Sequence, residues 1–207
     1  MFESALVRKE SMQDGGDDSQ LLSDVRAARR GDGDAYARIV RRFQEALVRR
    51  MSRFARGRAE VEELVQEIFV ETYFALPKFR EDAPFEHWLQ RIATRVGYRS
   101  LKRRQARAGA LLRPLALADE DGVRQTSPAP SPMEASEALE SLLGGLSARD
   151  RLVITLLYVE GRSVDETAAH TGWSRTMVKV QSFRARKKLK RLIESGRGAA
   201  LDGGARA

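Results

Sequence analysis

A chain of 207 residues with a net charge of +8 and a pI near 10.2 is long enough for one or two domains and basic enough to favour a polyanionic partner. It contains no cysteine and only two histidines, so disulfides and thiolate metal sites are excluded, and His87 and His170 are too few for an imidazole metal centre. No apolar run reaches membrane-spanning length and the N-terminus has no signal core, so the expectation is a cytoplasmic protein without membrane insertion, metal or cofactor.

Residues 1–20 mix Gly, Asp, Ser and Gln without a period and read as a disordered extension. From Leu21 to about Arg107 the spacing predicts helices. Ile39, Val40, Phe43, Leu47 and Met51 recur every three or four residues after a Gly-Asp-Gly break at 31–33. Val61, Leu64, Val65, Ile68, Thr72 and Ala75 repeat the pattern until Pro77 stops it. KFREDAP is a loop, and a helix starting near Phe85 places Phe85, Leu89, Ile92 and Val96 on one stripe. The stretch LLRPLALADEDGVRQTSPAPSPMEAS holds four of the six prolines and no sustained period, so 108–137 read as a linker. Helices return from about Ala138 to Glu194, and 195–207 read as a flexible tail. With no strand alternation, the fold class is all-α: two small helical domains, 21–107 and 138–194, joined by a flexible linker.

The charges are segregated along the chain. From Ala59 to Pro77 there are five Glu and no basic residue. Once Val61, Leu64, Val65 and Ile68 face inward, Glu62, Glu63, Gln66 and Glu67 form an outward acidic patch. No Lys or Arg is interspersed to pair with them at i,i+4, so the patch suits a basic protein surface and is wrong for DNA. From His87 to Ala118 there is no acid at all. Arg91, Arg95, Arg99, Lys102 and Arg103 line the outside of that helix, with Phe79 and Phe85 beside the loop and Trp88 and Tyr98 on the helix. Cations that follow a backbone and rings that stack bases are what single-stranded nucleic acid requires. Trp88 lies beside the apolar stripe, where core packing competes with base contact.

Near the C-terminus, Ser163 with Glu166 spells a capping box, Gly172 ends the short helix it starts, and Ser174 can cap the next. Two helices across a tight glycine turn are a helix-turn-helix, which lays its second helix in the major groove. That helix carries eight Lys or Arg and no acid from Arg175 to Arg191. Wound at about 100° per residue, it turns Val178, Ser182, Ala185, Leu189 and Leu192 inward. Thr176, Val180, Phe183, Arg184, Lys187 and Arg191 lie opposite, flanked by Lys179, Arg186 and Lys190. Lys and Arg neutralise phosphates, Arg184 has the fork that pairs with guanine, and Val180 or Phe183 can touch a thymine methyl. The competing possibility is a solvated basic helix whose Phe183 packs on a neighbouring helix or a partner.

Taken together, EELVQEIFVETYFAL, KFREDAPFEHWLQRIA, a linker, LSARDRLVITLLYVEGRSVDETAAHTGWS and VQSFRARKKLKRL resemble a bacterial sigma factor of the extracytoplasmic-function (ECF) group. The resemblance implies two helical domains, region 2 and region 4, with no region 3 between them, and no enzymatic activity. It implies binding to core RNA polymerase, through the β′ coiled coil and the β flap, followed by promoter recognition and melting. Glu62, Glu63, Gln66 and Glu67 match the β′-docking segment. Phe79, Arg80, Asp82, Phe85, Trp88, Arg91, Arg95, Arg99 and Lys102 match the part that reads and traps the minus-10 strand. Arg175, Thr176, Lys179, Val180, Gln181, Phe183, Arg184 and Lys187 match the minus-35 reader, and the resemblance also implies an anti-sigma factor as partner. The chain departs from the family pattern in three places. Met177-Val178-Lys179-Val180-Gln181 replaces Thr-Val-Lys-Ser-Arg, Thr167, His170 and Thr171 occupy aliphatic positions, and Arg95 and Arg99 stand where Asn and Asp are expected. Two other classes compete with this one. A stand-alone dimeric helix-turn-helix regulator would need a heptad or apolar dimer helix, and a nucleic-acid enzyme would need a cluster of carboxylates or a Ser–His arrangement; the sequence offers neither.

Overall fold

The computed structural model describes residues 18–111 and 142–202, and no strand occurs among them. In chain order come α1 (residues 18–29), α2 (Gly33–Met51), α3 (Arg58–Ala75) with a 3-10 turn at Leu76–Lys78, and α4 (Phe85–Leu111). After a helical segment at 142–144 follow α5 (Ala148–Ile154), running into a π-helical turn at Thr155–Val159, then α6 (Val164–Thr171) and α7 (Arg175–Asp202). The chain divides into two compact units, with the division between Gly97 and Tyr98, inside α4.

Three boundaries differ from the sequence expectation. Helix α1 takes in residues 18–20, assigned above to the disordered extension, because Gln20 reaches Asp24 across one turn at 3.3 Å and Asp18 lies 3.8 Å from Arg42. Helix α4 continues past Arg107 to Leu111, and α7 continues past Glu194 to Asp202. Neither extension meets a proline, and glycine costs only about 1 kcal/mol against alanine in a helix. The rest of the expected extension, linker and tail, at 1–17, 112–141 and 203–207, lies outside the described residues.

In the first unit the apolar stripes become the core. Ile39, Phe43, Leu47 and Met51 of α2, Val61, Leu64, Val65 and Ile68 of α3, and Phe85, Leu89, Ile92 and Val96 of α4 are all buried. Each large side chain so removed from water contributes about 1.5–3 kcal/mol. Asp32 starts α2 by accepting a hydrogen bond from the Ala35 amide at 2.9 Å. Arg38 of α2 holds buried Asp24 of α1 through two contacts, at 2.7 and 2.9 Å. Arg50 is buried and donates to the Gln90 carbonyl at 2.9 Å and the Thr94 hydroxyl at 2.8 Å, tying α2 to α4. Periodicity places Arg50 beside the core but does not show that it enters.

In the second unit Leu143, Leu146, Ile154 and Ala185 form a buried cluster, with Leu189 and Leu192 packed against it. Ser147 caps α5 by accepting from the Asp150 amide. The capping box at Ser163 and Glu166 is present in both directions, at 3.1 and 2.8 Å. Gly172 takes φ 73°, the left-handed conformation that glycine adopts without strain at a helix end, and Ser174 accepts from the Met177 amide at 3.1 Å. These local bonds set the turn between α6 and α7. Two of the three polar residues at aliphatic family positions are buried. Thr167 and His170 are inside, and the His170 ring accepts a 2.7 Å hydrogen bond on Nε2 from Arg162, while the Thr171 hydroxyl returns to the Thr167 carbonyl.

Candidate functional site

Three outward faces carry the predicted residues. On α3, Glu62, Glu63 and Gln66 are exposed and Glu67 is half-buried. One part of the sequence reading is corrected here: α3 begins one residue before the acidic run, and Arg58 pairs with Glu62 at i,i+4, 2.8 Å apart. The pairing raises the Arg58 pKa through the carboxylate hydrogen bond. Glu62 is thus engaged within its own helix, and Glu63, Gln66 and Glu67 carry the patch forward. The same face continues into a surface that the sequence reading left out. Val70, Tyr73 and Phe74 are exposed, Phe74 at 74 %. At 100° per residue Glu63, Glu67, Val70 and Phe74 lie within one narrow stripe. An apolar run too wide for one buried stripe was the signal that could have found it.

The second face is the loop after the 3-10 turn together with α4. Arg80 and Asp82 are exposed, as are Arg91, Arg95 and Lys102, while Arg99 is half-buried. Phe85 is buried as its place on the apolar stripe predicts, and Phe79 is buried with it, at 2 % and 3 % exposure, so the minus-10 contact that the resemblance implies for these two rings needs correction. Phe79, Phe85 and Trp88 form a closed cluster with ring centroids 5.0–5.6 Å apart. Burying two phenylalanines gains more than leaving them ready to stack a base. Phe79 and Phe85 therefore shape the base of the loop, and half-buried Trp88 presents the one partly open ring of the three.

The third face is α7. Thr176, Lys179, Val180, Phe183, Arg184 and Lys187 are exposed on one side, with Val180 at 44 % and Phe183 at 62 %, and Val178, Ser182 and Ala185 are buried on the other. Arg175 is exposed and pairs with Asp165 of α6 at 2.5 Å. Gln181 departs from the expectation. It is half-buried and its amide donates to Asp150 of α5 at 2.5 Å, while Asp150 also accepts from the Ser147 hydroxyl at 2.6 Å. A hydrogen bond to a buried carboxylate is worth more than one to water, so Gln181 turns inward and clamps α7 to α5. Gln181→Ala is accordingly expected to lower stability by about 1.5–3 kcal/mol in a denaturant titration.

The structure thus combines two helical units, one with a helix-turn-helix whose second helix is basic and one with an acidic face on α3. Comparison with known proteins gives the class. Residues 39–107 match the family described as Sigma-70 region 2, and residues 136–189 match Sigma-70, region 4. The RNA polymerase sigma factor CnrH of Cupriavidus metallidurans is 35 % identical over 173 residues, covering 80 % of this chain and 90 % of that protein. The ECF RNA polymerase sigma-E factor of Escherichia coli K12 is 28 % identical, covering 85 % and 97 %. Among solved structures, CnrH in complex with the cytosolic domain of CnrY superimposes with a TM-score of 0.55 at 28 % identity, over 83 % of this chain and 96 % of that one. RpoE with the anti-sigma factor NepR from Bartonella quintana gives 0.52 at 19 % identity, over 77 % and 96 %, a likeness of fold. The chain belongs to the ECF group of sigma-70 RNA polymerase sigma factors. It binds core RNA polymerase and directs transcription initiation at a specific set of promoters.

Proposed function

We propose that the three faces divide the work of a sigma factor. The α3 face from Glu63 to Phe74 docks on core polymerase, the loop at 80–84 with the α4 cations reads and holds the minus-10 strand, and the outward face of α7 reads the minus-35 element. The observation that carries this reading is the separation of charge sign by face: acids on α3, cations on α4 and α7. Like charge repels a phosphate backbone and opposite charge holds it, so α3 faces protein while α4 and α7 face nucleic acid. An acidic rim running into an apolar end at Val70 and Phe74 also fits the composition of a protein interface. On α7 the lysines hold phosphates, and Arg184 is placed to read a guanine through its paired donors. Val180 in place of a polar side chain on that face favours a thymine methyl and so an unusual minus-35 preference.

Sigma factors are regulatory subunits without catalytic chemistry of their own, and this chain is assigned the same role, acting in the cytoplasm at the nucleoid. Among the described residues no helix is long and apolar enough to cross a membrane. The solved CnrH structure holds the cytosolic domain of CnrY, and an anti-sigma factor is the corresponding partner proposed for this chain.

The test is transcription of genomic DNA by purified core polymerase, with and without the chain, with RNA 5′ ends mapped. New starts that share two spaced upstream elements are the expected result. Duplex binding by the chain alone with no new starts would mean a stand-alone regulator instead. On a promoter found in this way, Arg184→Ala is expected to relax discrimination at one minus-35 position by about 1–3 kcal/mol. Lys187→Ala is expected to weaken every sequence alike and to reduce the salt dependence of binding.

A further inference from the structure

The loop between the 3-10 turn and α4 contains the one residue other than glycine, among those described, with a left-handed backbone: Glu81, at φ 62°. A glutamate there is held against its own steric preference, and such strain persists where the surroundings determine the conformation. The surroundings are two arginines of α1. Arg26 donates to Glu81 through Nη2 at 2.7 Å and Nε at 3.2 Å, a two-pronged grip, and Arg29 adds Nη1 at 3.1 Å. The three contacts span more than fifty residues of sequence and join the first helix to the middle of the loop. On either side of Glu81, Arg80 and Asp82 are exposed, while Phe79 and Phe85 anchor the two ends of the loop in the core. The loop is thus fixed at both ends by aromatic burial and at its centre by charge.

We propose that Glu81, gripped by Arg26 and Arg29, is a positioning residue for minus-10 recognition: it holds Arg80 and Asp82 in one arrangement before the strand arrives. The proposal rests on the reading of 80–84 as the minus-10 loop. Trapping an unpaired base costs unstacking energy, and a loop that must order itself at the same moment adds a further entropic cost. A latched loop avoids that cost and presents a fixed set of contacts, so its loss shows in selectivity more than in fold. Helix α1 gains a role through this contact, as the strut against which the reading loop is braced.

The test uses the full chain with core polymerase on a panel of promoters differing at single minus-10 positions, with open-complex formation read by permanganate reactivity. Glu81→Gly is the informative variant, because glycine accepts φ 62° without strain while the side chain that Arg26 and Arg29 hold is removed. The expected result is an unchanged melting temperature and a discrimination that collapses, at one or two minus-10 positions, from the roughly 5- to 150-fold that one read base supplies to about 2-fold. The triple variant Arg26→Glu, Arg29→Glu, Glu81→Arg reverses every charge of the latch and is expected to recover most of the lost discrimination. Either double or single reversal, Arg26→Glu with Arg29→Glu or Glu81→Arg, is expected to fail. If Glu81→Gly keeps full discrimination while Arg80→Ala or Asp82→Ala loses it, the loop reads the promoter but needs no latch, and the proposal is overturned. If none of these variants alters minus-10 preference, the reading of the loop itself fails and the proposal falls with it.

Discussion

Replacing Glu63 and Glu67 together by Lys is expected to weaken binding to core polymerase at least about 100-fold, with no loss of duplex binding by α7. Both residues lie on the outward stripe of α3 that continues to Val70 and Phe74. Placing like charges opposite one another in an interface costs several kcal/mol, and each 1.4 kcal/mol is a factor of ten in affinity. If α3 docks on a basic surface as proposed above, two reversals therefore reach two decades even after solvent screening. The substitutions do not threaten the helix. Lys at 63 and 67 faces Glu60 and Glu71 at i,i+3 and i,i+4, and such pairs support a helix by about 0.2–0.5 kcal/mol each. Unfolding of the variant monitored by circular dichroism separates any change in helix stability from the change at the interface. Glu62→Lys is the control, with a smaller effect, because Glu62 is already held by Arg58. Raising salt should narrow the gap between parent and variant, since exposed charges are screened within about 8 Å at physiological ionic strength. Titration of labelled chain with core polymerase measures all of this; parent-like affinity in the double variant would remove α3 from the docking surface.

The parts of this molecule that read directly from sequence are those governed by local physics. Helix period placed Ile39, Phe43, Leu47, Phe85, Leu89, Ile92 and Val96 in the core, and all of them are buried. The capping box at Ser163 and Glu166 and the glycine turn at Gly172 needed only neighbours within a turn, and both are present. What periodicity could not supply are partners distant in sequence. Gln181 is a minus-35 position by the family resemblance, yet at 100° per residue it lies nearer the inward side, and Asp150 on another helix holds it there. Phe79 flanks the proposed reading loop and belongs to no helical stripe, yet Phe85 and Trp88 enclose it. Glu81 is an ordinary loop acid until Arg26 and Arg29 arrive from α1. Each of these is a polar or aromatic residue with two competing environments. The choice between them depends on which long-range neighbour removes more apolar area or satisfies more charge.

Gly97→Ala is expected to lower the stability of the first unit, although the local rule predicts the opposite. Gly97 lies inside α4, where alanine normally stabilises a helix by about 0.5–1 kcal/mol. A Cβ built on Gly97 would lie 2.9 Å from two carbons of the Phe54 ring and 3.3 Å from a third. Phe54 is completely buried, so its ring has no free space to swing into. Forcing an extra methyl into a filled core costs about 1–3 kcal/mol, which exceeds the helical gain. For a unit of this size each kcal/mol moves the midpoint by about 4–8 °C, so the variant should melt several degrees below the parent in calorimetry. Phe54→Leu alone should also destabilise, by leaving a cavity. Combined with Gly97→Ala, the smaller side chain makes room for the methyl, and the double variant should be more stable than the sum of the two losses predicts. That non-additivity is the signature of direct contact; simple addition of the two effects, or a rise in melting temperature for Gly97→Ala, would mean that the ring and the glycine backbone are not in close approach. Gly97 sits two residues beyond Arg95 on the helix proposed above to hold the minus-10 strand, and a residue without a side chain there lets α4 lie close on Phe54.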